Sequence, residues 1–251
     1  MDPGALDEAL RSIREPSPLW TELFMVCSYA MAAGCVYRGI REGARRADTL
    51  SRWKFASGQV LVFALLTGLF WFVESWANHR TPFYLYSTQF TDLVPRLDLA
   101  AWGIPRGVDT PCTKLVLDIA DKLGANKIPL CVLLLEASLT YTAMWTARLL
   151  GANLIVQPLL AGLVLVNVDA LLDPVVATTH ACSGAPERPG IGLGFWRWYV
   201  EPGVADWFGV PIFNYAAWFA APVFLICLVN LLGRFSGGWF MPLIRKRSTA
   251  R

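Results

Sequence analysis

Charge is scarce in this 251-residue chain. Asp, Glu, Lys and Arg make up 16% of it, against 55% hydrophobic residues and a mean hydropathy of +0.44. A soluble domain carries about 25% charged and 45–50% apolar residues. The composition therefore argues against both a soluble globule and a disordered chain. Cysteine is scarce too: six, widely scattered, too few for a disulfide-stapled secreted module. A nucleic-acid footprint is missing, because the net charge is only +3 and the bases sit between apolar runs instead of massing on one face. No nucleic-acid partner is expected. The first 17 residues hold Asp2, Asp7, Glu8, Arg11, Arg14 and Glu15. That is not a signal-peptide n-region, so no cleavage is expected. Internal repeats and linkers are lacking as well. The reading is one integral membrane domain over 1–251, with a polar arm (1–17), a helix bundle (18–232) and a basic tail (233–251).

Long apolar runs are what the chain has in plenty. Crossing a hydrocarbon core of about 30 Å takes about 20 mostly apolar residues. Five stretches qualify: Pro18–Tyr37, Phe55–Trp76, Ile128–Ala147, Leu154–Ala177 and Ile212–Leu232. Lipid offers backbone groups no partner, so each is a helix. The fold class expected is all-α, a polytopic transmembrane bundle of five to seven spans. A further helix over 83–105 or 190–206 would raise the count and change the sidedness. Orientation follows the Lys/Arg bias. Arg38, Arg41, Arg45, Arg46, Arg52 and Lys54 follow span one, and Arg234, Arg245, Lys246, Arg247 and Arg251 follow span five. With five spans these share one side with Arg148. That side is cytoplasmic, and the location expected is a bacterial inner membrane. The other side holds the N-terminus and the connections 77–127 and 178–211.

Neither connection reads as plain loop. Thr110-Pro111 opens a run with Leu115, Val116, Ile119, Ala120 and Leu123 on one face and Lys114, Asp118, Asp121 and Lys122 opposite. This is a capped amphipathic helix, expected to lie in the membrane interface. Phe83, Tyr84, Tyr86 and Trp102 suit an interfacial belt, as does the run Phe195-Trp196-Arg197-Trp198-Tyr199, which re-enters on one reading. Cys112 and Cys182 can pair if that side is exported. His79 and His180 carry no metal-ligand spacing.

Charges inside the spans are all of one sign. Every one of the 22 Lys and Arg lies outside the five stretches, while Glu22, Glu74, Glu136, Asp169 and Asp173 lie inside. An acid in a membrane helix costs a few kcal/mol and normally faces the bundle interior. Asp169 and Glu136 are each about 12 Å from the outer ends of their spans at ~1.5 Å per residue, and the other three lie nearer the same surface. Asp169 and Asp173 are four residues apart and share a helix face. Pro174 removes a backbone donor beside them and frees a carbonyl. Clustered carboxylates in a low dielectric cannot all ionise, so at least one keeps a proton to give. The others can hold a cation, helped by aromatic faces among Trp196, Trp198, Trp207, Phe213, Tyr215 and Trp218. Plainer readings exist. Glu22 suits a helix-start dipole residue, Glu74 can reach the headgroups, and Glu136 can bond a neighbouring helix.

Leu172-Asp173-Pro174, then Phe195-Trp196-x-Trp198, then Trp207-Phe208-Gly209-Val210-Pro211-x-x-Asn214-Tyr215-x-x-Trp218-Phe219, resembles the membrane-bound carotenoid biosynthesis proteins, a family that includes gamma-carotene hydratase and bisanhydrobacterioruberin hydratase. Glu74 followed by Pro82-Phe83-x-x-Tyr86, and Ile128-Pro129, are similar to its earlier signature. The resemblance covers roughly residues 55–232. It implies hydration of an end double bond of a long polyene to a tertiary alcohol without an organic cofactor. It carries over to Glu74, Asp169, Asp173, Trp198, Asn214 and Trp218. On this reading Asp169 or Asp173 donates to the alkene, with Glu74 and Glu136 assisting. Trp196, Trp198, Asn214, Tyr215, Trp218 and Phe213 surround an isoprenoid substrate drawn from the lipid. Water then quenches the cation (a hydratase), or a nearby double bond does (a cyclase).

Two other classes compete. One is a Mg²⁺-dependent prenyltransferase or terpene synthase acting on a prenyl diphosphate: Asn167-x-Asp169-x-x-x-Asp173 partly resembles the first acidic motif of intramembrane aromatic prenyltransferases, with Asn167, Asp169 and Asp173 as ligands. A second aspartate-rich motif is lacking, and only Arg80, Lys127, Arg188 and Arg197 are placed to clamp a diphosphate. The third class is a non-enzymatic proton or cation pathway, which intramembrane acids also mark.

Overall fold

The computed structural model describes residues 6–7, 10–11, 13, 15–44, 49–80, 84–107, 110–150, 153, 155–182, 192–201 and 203–235. The chain is mostly helical. Six helices are described: α1 (Pro18–Ala44), α2 (Thr49–Arg80), α3 (Pro111–Leu123), α4 (Leu130–Leu149), α5 (Val156–Val176) and α6 (Ile212–Phe235). All but α3 are long and apolar enough to span a membrane, so the protein is an integral membrane protein with five candidate spans. Their outer stripes carry exposed Leu23, Val26, Leu61, Leu163, Leu171, Phe224 and Leu231, side chains that only lipid covers at no cost. Arg45, Arg46 and the basic residues Arg245, Lys246, Arg247 and Arg251 lie outside the described residues.

Helix starts follow local chemistry. The Ser17 hydroxyl accepts from the Trp20 amide at 3.4 Å, with Pro18 at the first helical position. Asn153 Oδ1 accepts from the Ile155 and Val156 amides ahead of α5. For α4 the cap comes from far away in sequence: Asp92 Oδ2 accepts from the Cys131 amide at 2.6 Å, placing a carboxylate at the positive end of the helix dipole. At α3 the predicted cap is present as a reciprocal pair between Thr110 and Thr113, and Gly124 closes the helix with φ 62°.

The chain divides into two compact units, and each long helix shares its residues between them. The first unit spans 1–27, 70–133 and 168–215 and contains every described strand. Its main sheet has the order β1 (Tyr84–Tyr86), β5 (Trp196–Val200), β4 (Ala177–Ala181). β5 is antiparallel to β1, with Tyr84 opposite Trp198 and Tyr86 opposite Trp196, and parallel to β4. The described residues within 83–105 and 190–206 thus form strands and turns where further helices had been an open possibility. The reason is period two: Tyr-Leu-Tyr and Trp-Arg-Trp-Tyr-Val alternate, and aromatic and β-branched residues favour a pleated surface. Alternation gives the sheet two different faces. Tyr84, Tyr86, Trp196 and Trp198 share one; Leu85, Arg197, Tyr199, Thr178 and His180 share the other.

α3 covers the second face. Its apolar residues Cys112, Leu115, Val116, Ile119 and Ala120 are buried with Leu85 and Tyr199 in one cluster, and Leu6, Leu10 and Ile13 pack against it. Protein covers the apolar stripe of this amphipathic helix. A disulfide between Cys112 and Cys182, Cα atoms 4.9 Å apart, ties α3 to the end of β4. Arg197 is fully buried on this face. It pairs with Glu15 at 2.5 Å, and Glu15 also accepts from Ser87 and Thr88. Beside it His180 stacks on Tyr199, ring centroids 5.5 Å apart. Burial, reinforced by Arg197, lowers the His180 imidazole to about 4; burial raises the Tyr199 phenol to about 12.

A small hairpin, β6 (Asp206–Trp207) and β7 (Val210–Pro211), runs directly into α6. Its two turn residues, Phe208 and Gly209, have φ of 51° and 83°, as a two-residue turn between twisted strands demands. A Cβ on Gly209 would lie 2.7 Å from the Thr179 hydroxyl, which donates to the Gly209 carbonyl at 2.5 Å. The remaining pair, β2 (Leu93–Pro95) with β3 (Lys127–Pro129), leads into α4.

The second unit spans 28–69, 134–167 and 216–251. Two neutral polar contacts are buried in it: Tyr141 donates to Gln59 Oε1 at 2.7 Å, and Gln157 Nε2 donates to the Met144 carbonyl at 3.3 Å. The Arg38 and Arg148 guanidinium carbons each lie 5.0 Å from the Trp145 ring centroid.

Candidate functional site

The site grows from the stripe of α5 that avoids lipid. Leu163, Asn167, Leu171 and Val175 recur every four residues on the exposed side; Ala161, Leu165, Asp169 and Asp173 recur on the buried side. Asp169 is 4% exposed and Asp173 2%. Neither carboxylate points at lipid, and neither has an ion-pair partner among the described residues.

Three other segments supply their neighbours. Asn214, the third residue of α6, is held in place by the hairpin before it, where the Ile212 amide bonds the Ala205 carbonyl at 3.0 Å. Its single Nδ2 donates to Asp169 Oδ2 at 2.8 Å and to Asp173 Oδ2 at 2.9 Å. Trp196, on the first sheet face, donates its indole N–H to Asp173 Oδ1 at 2.5 Å. From α2, Glu74 meets the tyrosines of the same sheet face as Trp196. Its Oε2 accepts from the hydroxyls of Tyr84 and of Tyr86, the latter at 2.8 Å. Trp198 packs between Tyr84, at 4.9 Å between centroids, and Phe213, at 6.2 Å. The Tyr215 hydroxyl donates to the Trp207 carbonyl at 3.3 Å.

The chemistry follows from the count of charges and donors. Two carboxyl groups share one amide nitrogen, so their oxygens are no farther apart than those two bonds allow. Among the described residues, the hydrogen bonds they accept come from neutral N–H groups. Asp169 Oδ1 has no hydrogen-bond partner among the described residues. Two buried carboxyl groups joined through one amide repel as a pair of anions, so the arrangement can hold a proton and offer it beside an anion.

Of the residues singled out in the sequence, Asp169, Asp173, Asn214, Trp196 and Glu74 are brought together here, with Trp198, Phe213 and Tyr215 around them. Trp218 stands one turn beyond Asn214 on the same face of α6. Glu136 is buried in α4 and, like Trp218, belongs to the second unit. Glu22 is exposed, in keeping with its plainer reading.

The Mg²⁺ set does not assemble. Asn167 is on the exposed stripe and donates to the Leu163 carbonyl at 2.7 Å, while N–H donors, which a cation would repel, occupy three of the four carboxylate oxygens. Among the described residues no three His, Cys, Asp or Glu side chains converge on a point. Of the four bases considered for a diphosphate, Arg197 is bound by Glu15, Arg80 donates to the Pro105 carbonyl at 2.8 Å, Lys127 is exposed on β3, and Arg188 lies outside the described residues.

No protein-family model, curated protein or solved structure matches the chain.

The sequence reading missed the two tyrosines. Tyr84 and Tyr86 had been assigned to an interfacial belt, but both are buried and serve Glu74. The signal was available: Tyr-x-Tyr on a strand puts both hydroxyls on one face. Phe83, assigned with them, lies outside the described residues.

Proposed function

We propose that this protein is a membrane-embedded enzyme of carotenoid or terpenoid metabolism that protonates a terminal isoprenoid double bond. The observation that carries the reading is Asn214 bridging Asp169 and Asp173 inside a span-forming helix. A purely structural polar contact in lipid needs one donor and one acceptor, as Tyr141 and Gln59 provide. Two acids on one amide leave acidity in surplus. The resemblance to the carotenoid biosynthesis proteins points the same way.

In the reaction, Asp169 gives its proton to the less substituted alkene carbon, a C–H bond forms, and the π electrons leave a tertiary carbocation. The Asp169 and Asp173 carboxylates and the faces of Trp196, Trp198 and Phe213 stabilise that cation. In the hydratase form, water adds to the cation and its surplus proton returns to the aspartate, so one water is consumed and the acid is regenerated. In the cyclase form a neighbouring double bond attacks, and loss of a proton to the same carboxylate gives an isomer. Glu74, oriented by Tyr84 and Tyr86, supplies a further negative charge. The substrate is a lipid-soluble isoprenoid, and no organic cofactor is required.

The reading places the chain in a bacterial cytoplasmic membrane with its C-terminus inside. The Lys/Arg bias supports that orientation, as does the Cys112–Cys182 disulfide, which joins the two long connections and suits an oxidising compartment. The test is expression in a lycopene-producing host. A product heavier by one water marks hydration and an isomer marks cyclisation; both should vanish with Asp169→Asn. Pigments identical to those of the empty host would overturn the proposal.

A further inference from the structure

The β6–β7 hairpin carries an unusual turn. Both of its central residues stand in the left-handed region, Phe208 at φ 51° and Gly209 at φ 83°. A two-residue turn of this kind favours Asn-Gly or Gly-Gly, because the backbone crowds a larger side chain there. Phe208 is the only non-glycine with a positive φ among the described residues. Gly209 is explained inside the chain, by the Thr179 hydroxyl on its carbonyl and by the lack of room for a Cβ. Phe208 has no such explanation, because it is 73% exposed. A crowded backbone that holds an aromatic ring outward points to a use outside the chain.

Phe208 has company. Trp207 is 54% exposed and meets it edge to face, ring centroids 5.0 Å apart. Val204 ahead of the hairpin and Ile212 and Phe213 after it are exposed as well. No Lys or Arg stands between Arg197 and Arg234, and Asp206 is turned back to accept from the Gly209 amide at 2.9 Å. An anionic headgroup or an acidic protein would find no cation here. The patch fits an uncharged, apolar partner.

The place of the hairpin in the fold says which partner that is. The hairpin runs straight into the candidate span Ile212–Leu232. It folds back beside the first turn of that span: Tyr215 donates to the Trp207 carbonyl at 3.3 Å, and the Ile212 amide donates to the Ala205 carbonyl at 3.0 Å. Thr179, which holds Gly209 at 2.5 Å, comes three residues after the end of the candidate span Val156–Val176. The tip is therefore tied to the ends of two spans, the level at which they leave the hydrocarbon. In a bilayer that level is the interface, a layer about 5–7 Å thick on each face, where tryptophan is enriched.

We infer that the hairpin tip is a membrane-inserting element. Trp207 and Phe208 enter the glycerol and upper acyl layer around the start of α6, and lipid is their partner. Lipid cover of the two rings offsets the strain of the left-handed turn. The contact is independent of the acid-pair chemistry and stands or falls apart from it.

The test uses the full chain in phosphatidylcholine nanodiscs. Cys27→Ser and Cys227→Ser remove the two exposed free cysteines, and Phe208→Cys then takes a nitroxide label. Power saturation measures collision of the label with oxygen, which concentrates in hydrocarbon, and with a water-soluble nickel chelate. Phe224→Cys, on the exposed side of α6, and Asp118→Cys, on the polar face of α3, give the lipid and water references. The label at position 208 should collide more with oxygen than with the nickel chelate, with a ratio displaced from the position 118 value toward that of position 224. Should Phe208→Cys misfold, Trp207→Cys carries the same expectation. More collision with nickel than with oxygen puts the tip in water. Little collision with either puts it against protein, from a second copy or from another part of this chain. Each of these two results overturns the inference.

Discussion

Two arginines and two aspartates, all in the first unit, show how differently buried charge is settled in one small region. Arg197 is fully buried and has its counter-ion, Glu15, at 2.5 Å, with Ser87 and Thr88 completing the carboxylate. Arg96 has a buried edge and nothing on it. Asp169 and Asp173 have donors, Asn214 and Trp196, but no counter-ion. Arg197 has a counter-ion, although its Nε and Nη1, like the Arg96 edge, take no hydrogen bond among the described residues. An acid pair served by neutral donors can hold a proton. Burial alone distinguishes none of these; what separates them is which partner is missing.

The sharpest break in that comparison is at the acid pair. Asp169→Asn and Asp173→Asn remove the proton donor or its neighbour while keeping shape. Each should lower product formation by about 10³-fold, within the range for general acid catalysis, with membrane yield and melting temperature unchanged. Full activity in both would reduce the pair to architecture. Next comes the bridge. Asn214→Leu leaves two carboxyl groups facing each other with no amide between them. Product should fall by about 10²-fold, and Asn214→Gln should restore little of it, because the longer side chain misplaces the N–H groups.

The arginines give a smaller contrast, read as stability. Glu15→Gln strands the Arg197 charge and should cost about 3 kcal/mol, the usual penalty for breaking a buried pair. Arg96→Met should cost nothing or stabilise slightly, because it removes a buried charge edge with no partner among the described residues. Equal melting curves for the two variants would erase the distinction between paired and empty arginine.

The smallest effect is a pH dependence on the sheet face beneath α3. The His180 imidazole is held at about 4, below its ordinary value of about 6.5. The folded state therefore binds fewer protons than the unfolded one between those values. Stability is full above about pH 6.5 and is lost as pH falls toward 4. Melting temperature followed from pH 7 to 4 should decline, and His180→Phe should flatten that part of the curve.

Much of this was legible in the sequence. The five spans, the cap of α3 at Thr110 and the Asp169/Asp173 pair follow from hydropathy, capping chemistry and spacing. Each is a local property of fewer than about 30 residues. The two long connections were less legible. Their strands are two to five residues long, too short for periodicity to separate from turn, and their partners lie far away in sequence. For the same reason the cover of α3 was not legible: an amphipathic stripe announces that it needs an apolar cover, but not whether lipid or protein supplies it.

By itself the sequence determined that the chain lives in a membrane, that its intramembrane charge is acidic, and that two of those acids face one way. The tertiary structure decided which acid shares a donor with which, that Tyr84 and Tyr86 serve Glu74, and that one arginine is paired while another is empty. Helix and hydropathy are set by neighbours along the chain. Hydrogen-bond partnership is set by groups dozens of residues apart, which only the folded backbone brings within 3 Å.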